Sequence, residues 1–215
     1  EMCIRDRAYF LAATERFPNH YYAMLAEERL AQPEFVRVLP SREATEFLSS
    51  VGWPVRRDPE KFEATPVTGL RLERARLLYA AGLDELADKE LRFGANTDSQ
   101  PHLMAMELAQ AATRRGSYAQ GIRIMKSLVP AHLTYSLESA PAAFWRLLFP
   151  LPYRTELERY ARWRGLDPFL LAGLIRQESE FDPRAISAAQ AYGLTQILPL
   201  TGRLLHMSTP KNLSR

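Results

Sequence analysis

The stretch DPFLLAGLIRQESEFDP, residues 167–183, predicts a helix that carries a carboxylate close to its end. Asp167 is a favourable N-cap, Pro168 suits the first helical position, and Pro183 disfavours helix at the residue before it. Winding at about 100° per residue places Glu178 near the stripe formed by the leucines and the isoleucine of the stretch. We therefore expect Glu178 to be partly buried against apolar side chains.

The two glutamates of this stretch have different expected environments. By the same winding, Glu180 lies on the opposite face, where a charged side chain is solvated. Apolar neighbours and the negative end of the helix dipole both favour the neutral form of the Glu178 carboxyl. A carboxylic acid that stays protonated near neutral pH can protonate a leaving-group oxygen, so Glu178 is a candidate general acid. Position alone also fits a glutamate paired with a backbone amide or an arginine, although Arg176 points elsewhere.

Segments on both sides of this helix carry a family resemblance. Residues 187–196 read SAAQAYGLTQ, and residues 150–153 read PLPY ahead of the Gly-Leu-Asp-Pro that opens the helix. Together with the Glu-Ser pair at the helix end, these segments resemble the soluble lytic murein transglycosylases. The resemblance implies a lysozyme-like catalytic fold. Gln190 and Thr195 depart from the family's pattern, in which a glycine and a methionine are usual.

The resemblance also implies a mechanism with a single carboxylate and with no cofactor or metal. Glu178 would protonate the glycosidic oxygen between N-acetylmuramic acid and N-acetylglucosamine in peptidoglycan, and then take a proton from the C6 hydroxyl of the substrate. The implied product is a 1,6-anhydromuramoyl end, formed by cleavage of the β-1,4 bond without water. The substrate-binding residues that the resemblance implies are Ser187, Tyr192, Gly193 and Gln196.

Each of these binding residues also has a structural interpretation. Ser187 and Gln190 have the spacing of a capping box, and Gln196 fits a solvated helix residue. Tyr192 would serve either to stack on a sugar or to cover the core. Gly193 permits a backbone angle or a close approach that a side chain would block.

Asp182 is the second carboxylate that a hydrolytic glycosidase would need. Retaining and inverting glycosidases use two carboxylates, and Asp182 follows Glu178 by four residues, a spacing that brings helical side chains together. An aspartate directly before proline is ordinarily a turn former, however. A hydrolase that uses Asp182 or a water molecule is therefore the less favoured interpretation.

The first 150 residues are predicted to be helical and separated by proline and glycine, so the fold class is all-α. Residues 51–69 contain Pro54, Pro59 and Pro66 and are interpreted as a loop. Further along, Gly82 and Gly116 follow helical segments at the tetratricopeptide spacing of about 34 residues.

This spacing favours a helical-repeat (TPR-like) solenoid, although ordinary helical hairpins would show the same pattern. The resemblance implies that residues 1–150 form a helical superhelix and that residues 151–215 are the N-terminal part of the catalytic domain. The resemblance implies that the helical region holds glycan or cell-wall enzyme partners. Trp53, Trp145 and Trp163 are interpreted as core or interdomain packing.

Composition excludes several classes of function. The 28 basic and 25 acidic residues give a net charge of +3 without a dense basic patch, which argues against nucleic-acid binding. No apolar run approaches the roughly 18 residues of a membrane span. Cys3 is the only cysteine, so an internal disulfide is excluded, and the four histidines are dispersed. A periplasmic location follows from the resemblance alone.

A second hypothesis from another class is a helical-repeat interaction module with an incomplete, inactive catalytic domain. The sequence ends at Arg215, whereas members of the resembling family continue with further helices. We therefore expect part of the sugar groove to be missing from the 215-residue chain, and the isolated chain to be weak or inactive.

Overall fold

The structure is a computed structural model that describes residues 2–53 and 61–206, with side chains from residue 4 onward. Within these ranges the chain forms twelve α-helices and two short 3₁₀ helices, without a β-strand. The all-α prediction is confirmed. The described residues pack as two compact units, one from the ranges 1–64 and 129–141 and the other from 65–128 and 142–215. These units do not follow the predicted boundary at residue 150, which stays a prediction.

The first unit has a small core of apolar side chains. Its four α-helices are α1 (Met2–Arg16), α2 (Tyr21–Leu30), α3 (Pro33–Val36) and α4 (Arg42–Ser50), and its two 3₁₀ helices are Pro130–Thr134 and Leu137–Ser139. Ala8, Ala44 and Leu48 form its core cluster, and Trp53 packs against them. The indole Nε1 of Trp53 also donates to the Leu48 carbonyl at 2.7 Å. Core packing of this tryptophan is thus confirmed.

The second unit contains the other eight α-helices. They are α5 (Pro66–Ala80), α6 (Asp84–Thr97), α7 (Pro101–Arg114), α8 (Tyr118–Leu128), α9 (Ala142–Leu148), α10 (Arg154–Arg164), α11 (Pro168–Ser179) and α12 (Pro199–Leu204). The loop predicted to extend to residue 69 is wrong at its end, because α5 begins at Pro66. Thr65 caps that helix by accepting a hydrogen bond from the Thr68 amide at 3.2 Å, and proline suits the first position. Pro54 and Pro59 lie outside the described residues.

Helices α5 to α8 form two successive hairpins at the spacing that the glycines indicated. Gly82 and Gly116 have φ of 73° and 78°, and each ends the first helix of a hairpin. The residue after each glycine donates to a carbonyl five residues back, the hydrogen bond of a Schellman cap. Helix α6 packs on α5, α7 on α6, and α8 on α7. Two stacked hairpins fit a repeat, and a solenoid over residues 1–150 stays a prediction.

An ion-pair network joins the α5–α6 hairpin. The Arg71 guanidinium donates to Asp98 at 2.8 Å from Nε and to Glu90 at 2.8 Å from Nη1. The hydrogen bond from Arg71 holds the pKa of Asp98 below its ordinary value, although burial acts in the opposite direction. A carboxylate with a lowered pKa in the folded state stabilises the fold above its unfolded pKa, and this stabilisation is lost as the pH falls through the folded pKa.

Asp98→Asn is expected to lower the free energy of unfolding at neutral pH by about 1.5–3 kcal/mol, because a charged hydrogen-bond partner is removed from a nearly buried arginine. The difference from the native protein should shrink below about pH 4. Urea unfolding at several pH values measures both effects. Asp84→Asn breaks the more exposed pair with Arg115 and should cost about 1 kcal/mol or less. Equal losses of unfolding free energy in the two variants would contradict the conclusion that the pair of Asp98 with Arg71 stabilises the fold more than the exposed pair of Asp84 with Arg115.

One buried apolar cluster of the second unit lies under α11. Ile122 of α8, Leu157 of α10, and Ala172 and Ile175 of α11 form a buried cluster that Phe181 completes from the segment after the helix. Tyr118, Leu151, Leu171 and Leu194 pack around this cluster. The helix with the candidate acid is therefore anchored on one face by side chains from three other parts of the chain.

Candidate active site

Glu178 lies on the last turn of α11, and its side chain is exposed. The expectation that it would be partly buried among apolar residues is wrong in this structure. The buried positions of α11 are Ala172, Ile175 and Ser179. Their direction lies roughly 90–100° from Glu178 on the helix wheel. Leu174, which helped to define the expected stripe, remains 49% exposed.

The N-terminal end of α11 forms as predicted. The Asp167 carboxylate accepts a hydrogen bond from the Phe169 amide at 2.7 Å, which confirms the N-cap. Arg176 points away from Glu178, because its Nε donates to the Leu148 carbonyl at 3.0 Å. Its guanidinium also lies over the Phe149 ring, 4.4 Å from the centroid.

The C-terminal end differs from the prediction and changes the environment of Glu180. The helix ends at Ser179, and the next two residues have left-handed φ values, 52° for Glu180 and 65° for Phe181. The helical winding therefore does not extend to Glu180, and its predicted position on a solvated face is wrong. The Glu180 side chain is 17% exposed and accepts hydrogen bonds from Arg123 Nε at 2.7 Å and Lys126 Nζ at 2.9 Å.

Ser179 connects the helix to the loop that follows it. This serine is buried, and its Oγ lies 3.2 Å from the Ile175 carbonyl and 2.9 Å from the Leu194 carbonyl. The Ser179 hydroxyl, shared between these two carbonyls, links the residue next to Glu178 to the loop that contains Leu194. Sequence reasoning missed this function, although Ser179 lies on the same face of the wheel as Ala172 and Ile175.

The loop between α11 and α12 is organised around Tyr192. Its backbone pairs with Ile186 on one side and with Ile197 on the other, as isolated antiparallel bridges. Residues 193–196 form a turn, and α12 begins only at Pro199. The capping-box interpretation of Ser187 is therefore wrong. Its Oγ accepts from the Ala191 amide at 3.0 Å and closes a turn instead.

Gln190, Gly193 and Gln196 of this loop have left-handed backbone angles. Gln190 has φ of 60°, which explains why a glycine is usual there, and the Tyr192 hydroxyl donates to its Oε1 at 2.9 Å. Gly193 has φ of 75°, and an added Cβ would meet only the Pro183 carbonyl, at the ordinary contact distance of 3.7 Å. The backbone angle, rather than a close approach, therefore accounts for Gly193.

Gln196 lies in the turn and not in a helix, so its interpretation as a solvated helix residue is wrong. Its Nε2 donates to the Ala185 carbonyl at 3.2 Å and to the Gly193 carbonyl at 2.9 Å. The side chain thus holds the two arms of the loop together. Its contact with substrate stays a prediction.

Asp182 adopts the turn that its position before proline indicated. One of its carboxylate oxygens accepts a hydrogen bond from the Arg184 amide at 2.9 Å, and its own amide donates to the Ser179 carbonyl at 3.0 Å. This carboxylate therefore stabilises the turn in which the chain changes direction after α11.

Comparison with known proteins identifies a domain family that the C-terminal part of the chain matches. Residues 157–214 match the family model of the transglycosylase SLT domain, a range that includes Glu178 and the loop after it. Residues 157–214 are therefore similar to the SLT-type transglycosylases. The family resemblance of the sequence is thereby confirmed.

Two solved lytic transglycosylases are similar in structure to this chain. An inactive mutant of the lytic transglycosylase Slt from Pseudomonas aeruginosa has 19% sequence identity and a TM-score of 0.50, over 92% of this chain and 28% of that chain. The 70 kDa soluble lytic transglycosylase from Escherichia coli has 20% identity and a TM-score of 0.45, over 90% of this chain and 28% of that chain. The chain thus spans 28% of the length of each, and the first likeness supports the all-helical fold.

The other two tryptophans of the chain differ in their environments. Trp145 is half-buried, with its ring 5.2 Å from the Phe144 ring and stacked at 6.2 Å on Phe149. Trp163 is 72% exposed, so its interpretation as packing is wrong in this structure. The guanidinium of Arg164 lies over its ring, 4.3 Å from the centroid.

Between residues 4–53 and 61–206, no three His, Cys, Asp or Glu side chains are grouped closely enough to hold a metal ion. None of the helices in the described part of the chain combines the length and the apolar composition that a membrane crossing requires.

Gly193→Ala is expected to lower the free energy of unfolding by about 1–2 kcal/mol, because alanine is disfavoured at left-handed φ. Gly173→Ala on α11 is the matched control with the opposite sign. An added Cβ there meets nothing within 4 Å, and alanine should stabilise the helix by about 0.5–1 kcal/mol. Chemical denaturation measures both changes, and stabilisation by the first substitution would contradict the loop geometry.

Proposed function

We propose that this SLT-type protein is a peptidoglycan lytic transglycosylase in which Glu178 is the single acid and base. It would cleave the β-1,4 bond between N-acetylmuramic acid and N-acetylglucosamine and leave a 1,6-anhydromuramoyl end. The observation that supports this proposal best is the position of an exposed glutamate, inside the matched SLT segment, at the end of a helix that is anchored on its other face.

Exposure of Glu178 fits an acid that acts on a polymer. The carboxyl must reach a glycosidic oxygen, and catalytic contacts often form only in the complex with substrate. Leu170 and Leu174 lie along the helix on the same side as Glu178 and are exposed. A glycan strand that covers these side chains would remove water from the carboxyl and favour its protonated form. In this proposal the apolar wall is provided on binding.

The proposed reaction balances without water. Glu178 gives its proton to the glycosidic oxygen, and the bond from the muramoyl C1 to that oxygen breaks. The C6 hydroxyl of the same sugar attacks C1, and the carboxylate of Glu178 takes the hydroxyl proton. The carboxyl is thereby returned to its starting state, so no second carboxylate is required. Asp182 already accepts a backbone hydrogen bond within its turn, which favours this route over hydrolysis with two carboxylates.

Four loop residues are proposed to contact the glycan. Ser187 accepts from a backbone amide and still has a hydroxyl proton to donate. The amide nitrogen of Gln196 is used within the loop, so its Oε1 is the atom proposed to accept from a sugar. Tyr192 is half-buried with its hydroxyl at the surface, and Gly193 presents backbone without a side chain.

The remaining proposals concern the whole protein. We propose a periplasmic location, where peptidoglycan is found. Residues 1–150 are proposed to act as a helical superhelix that holds glycan strands or cell-wall enzyme partners, and residues 151–215 to belong to the catalytic domain. The stacked hairpins of α5 to α8 support the superhelix.

Digestion of purified peptidoglycan by the full protein tests the proposed function. Chromatography with mass detection should find muropeptides with anhydro ends, and these should be absent when the protein is omitted. Cosedimentation with peptidoglycan measures binding in parallel. Binding without any new ends would overturn the proposal and favour an interaction module.

A further inference from the structure

We propose that Glu180 is a positioning residue for Glu178, held in place by Arg123 and Lys126 of α8. The three residues are called the Glu180 clamp. The inference rests on the proposed function, because it concerns how the helical region fixes the proposed acid. No comparison and no sequence motif assigns a function to these residues.

The clamp uses both oxygens of one carboxylate. Arg123 Nε lies 2.7 Å from Oε2 and Lys126 Nζ lies 2.9 Å from Oε1. The two cations are three residues apart on α8, so they extend from the same face of that helix. The carboxylate is largely covered while both cations are about half exposed, so two side chains of α8 reach the residue that follows α11. Two charged hydrogen bonds to one carboxylate restrict its position more than a single exposed pair would.

The clamp acts at a point where the backbone adopts a disfavoured conformation. Glu180 and Phe181 are consecutive residues with left-handed φ, a region that residues other than glycine rarely occupy. The Glu180 amide still donates to the Arg176 carbonyl at 3.1 Å, so this residue makes the last backbone hydrogen bond of the helix. Glu178 lies within that same final turn. A change at Glu180 therefore moves the backbone that carries the proposed acid.

The charges of Arg123 and Lys126 favour the ionised form of Glu180. Burial raises the pKa of Glu180, but the hydrogen bonds from Lys126 and Arg123, together with their charges, bring it below its ordinary value. Glu180 therefore remains a carboxylate to a lower pH than an ordinary glutamate would. Arg176 of α11 adds a further positive charge near Glu180.

Kinetics of the double variant Arg123→Ala/Lys126→Ala in the full protein test the positioning function. We expect kcat for anhydro-end formation to fall by about 10- to 100-fold with KM within about twofold, since a small displacement of a reacting group has effects of this size. Arg123→Lys keeps the charge and should recover most of the activity. Arg154→Ala breaks an exposed pair with Glu158 elsewhere in the same unit and should leave kcat unchanged.

Glu180→Gln is the second test, because it removes the charge with little change in volume and does not depend on how the double variant folds. It should show the same fall in kcat with an unchanged KM. Unchanged kcat in folded Glu180→Gln protein would overturn the clamp while leaving the proposed function intact. Absence of anhydro ends from the native protein would overturn both, so the two failures are distinguishable.

Discussion

Glu178→Gln is expected to reduce the rate of anhydro-end formation by the full protein by at least about 10²–10⁴-fold, the range that one general acid or base contributes. The amide has nearly the same shape as the carboxylic acid, but it cannot give a proton to the glycosidic oxygen or accept one from the C6 hydroxyl. Since both steps use the same group in this mechanism, no other residue compensates. Initial rates of muropeptide release measure the change.

Glu156→Gln provides the matched control for this prediction. Glu156 is an exposed glutamate on α10 and has no part in the proposed chemistry, so its rate should equal that of the native protein. Binding of Glu178→Gln to peptidoglycan should also be retained, because the substitution removes only the proton-transfer function. Retention of full activity by Glu178→Gln would exclude this residue as the acid.

Phe181→Ala is expected to lower the free energy of unfolding by about 3–5 kcal/mol, the usual cost of removing a fully buried aromatic side chain. Phe181 is 2% exposed and completes the core cluster between α8, α10 and α11. Its loss leaves a cavity beneath the helix of the proposed acid, and the left-handed backbone there loses its main apolar contact. Urea or guanidinium unfolding measures the effect.

Phe169→Ala removes the same side chain from a different environment. Phe169 lies at the start of α11 and is 67% exposed, so its replacement should change the unfolding free energy by about 0.5 kcal/mol or less. A comparable loss in the two variants would mean that Phe181 does not anchor the segment after the helix.

Local signals predicted the helical parts of this chain well. The Asp167 cap, the proline at the first position and the glycines at hairpin turns act through backbone geometry within a few residues, and the structure contains all of them. The family segment was identified in the same way, because its residues are close together in sequence. The functional consequence for each residue remains a proposal.

The buried face of α11 was harder to predict, because the large leucines suggested one face and the packing uses another. Ala172 and Ser179 are small, so they allow close approach of neighbouring elements, while Leu174 remains partly exposed. A helical wheel weighted by side-chain size cannot distinguish these cases. The exposed Glu178 follows directly from this difference.

Long-range contacts explain the other corrections. The partners of Glu180 lie 57 and 54 residues earlier in the chain, and nothing near Glu180 in sequence indicates them. The hydrogen bond from Ser179 to Leu194 likewise joins residues that a local pattern treats separately. The left-handed residues after Ser179 also end the helix earlier than the proline alone would suggest.

Digestion in water enriched in the heavy oxygen isotope tests the central claim, that the bond is cleaved by internal transfer under a single acid and base. The account predicts muropeptides with anhydro ends that contain no heavy oxygen at C1. Reducing ends that carry one heavy oxygen atom at C1 would show that water is the nucleophile, and would contradict it.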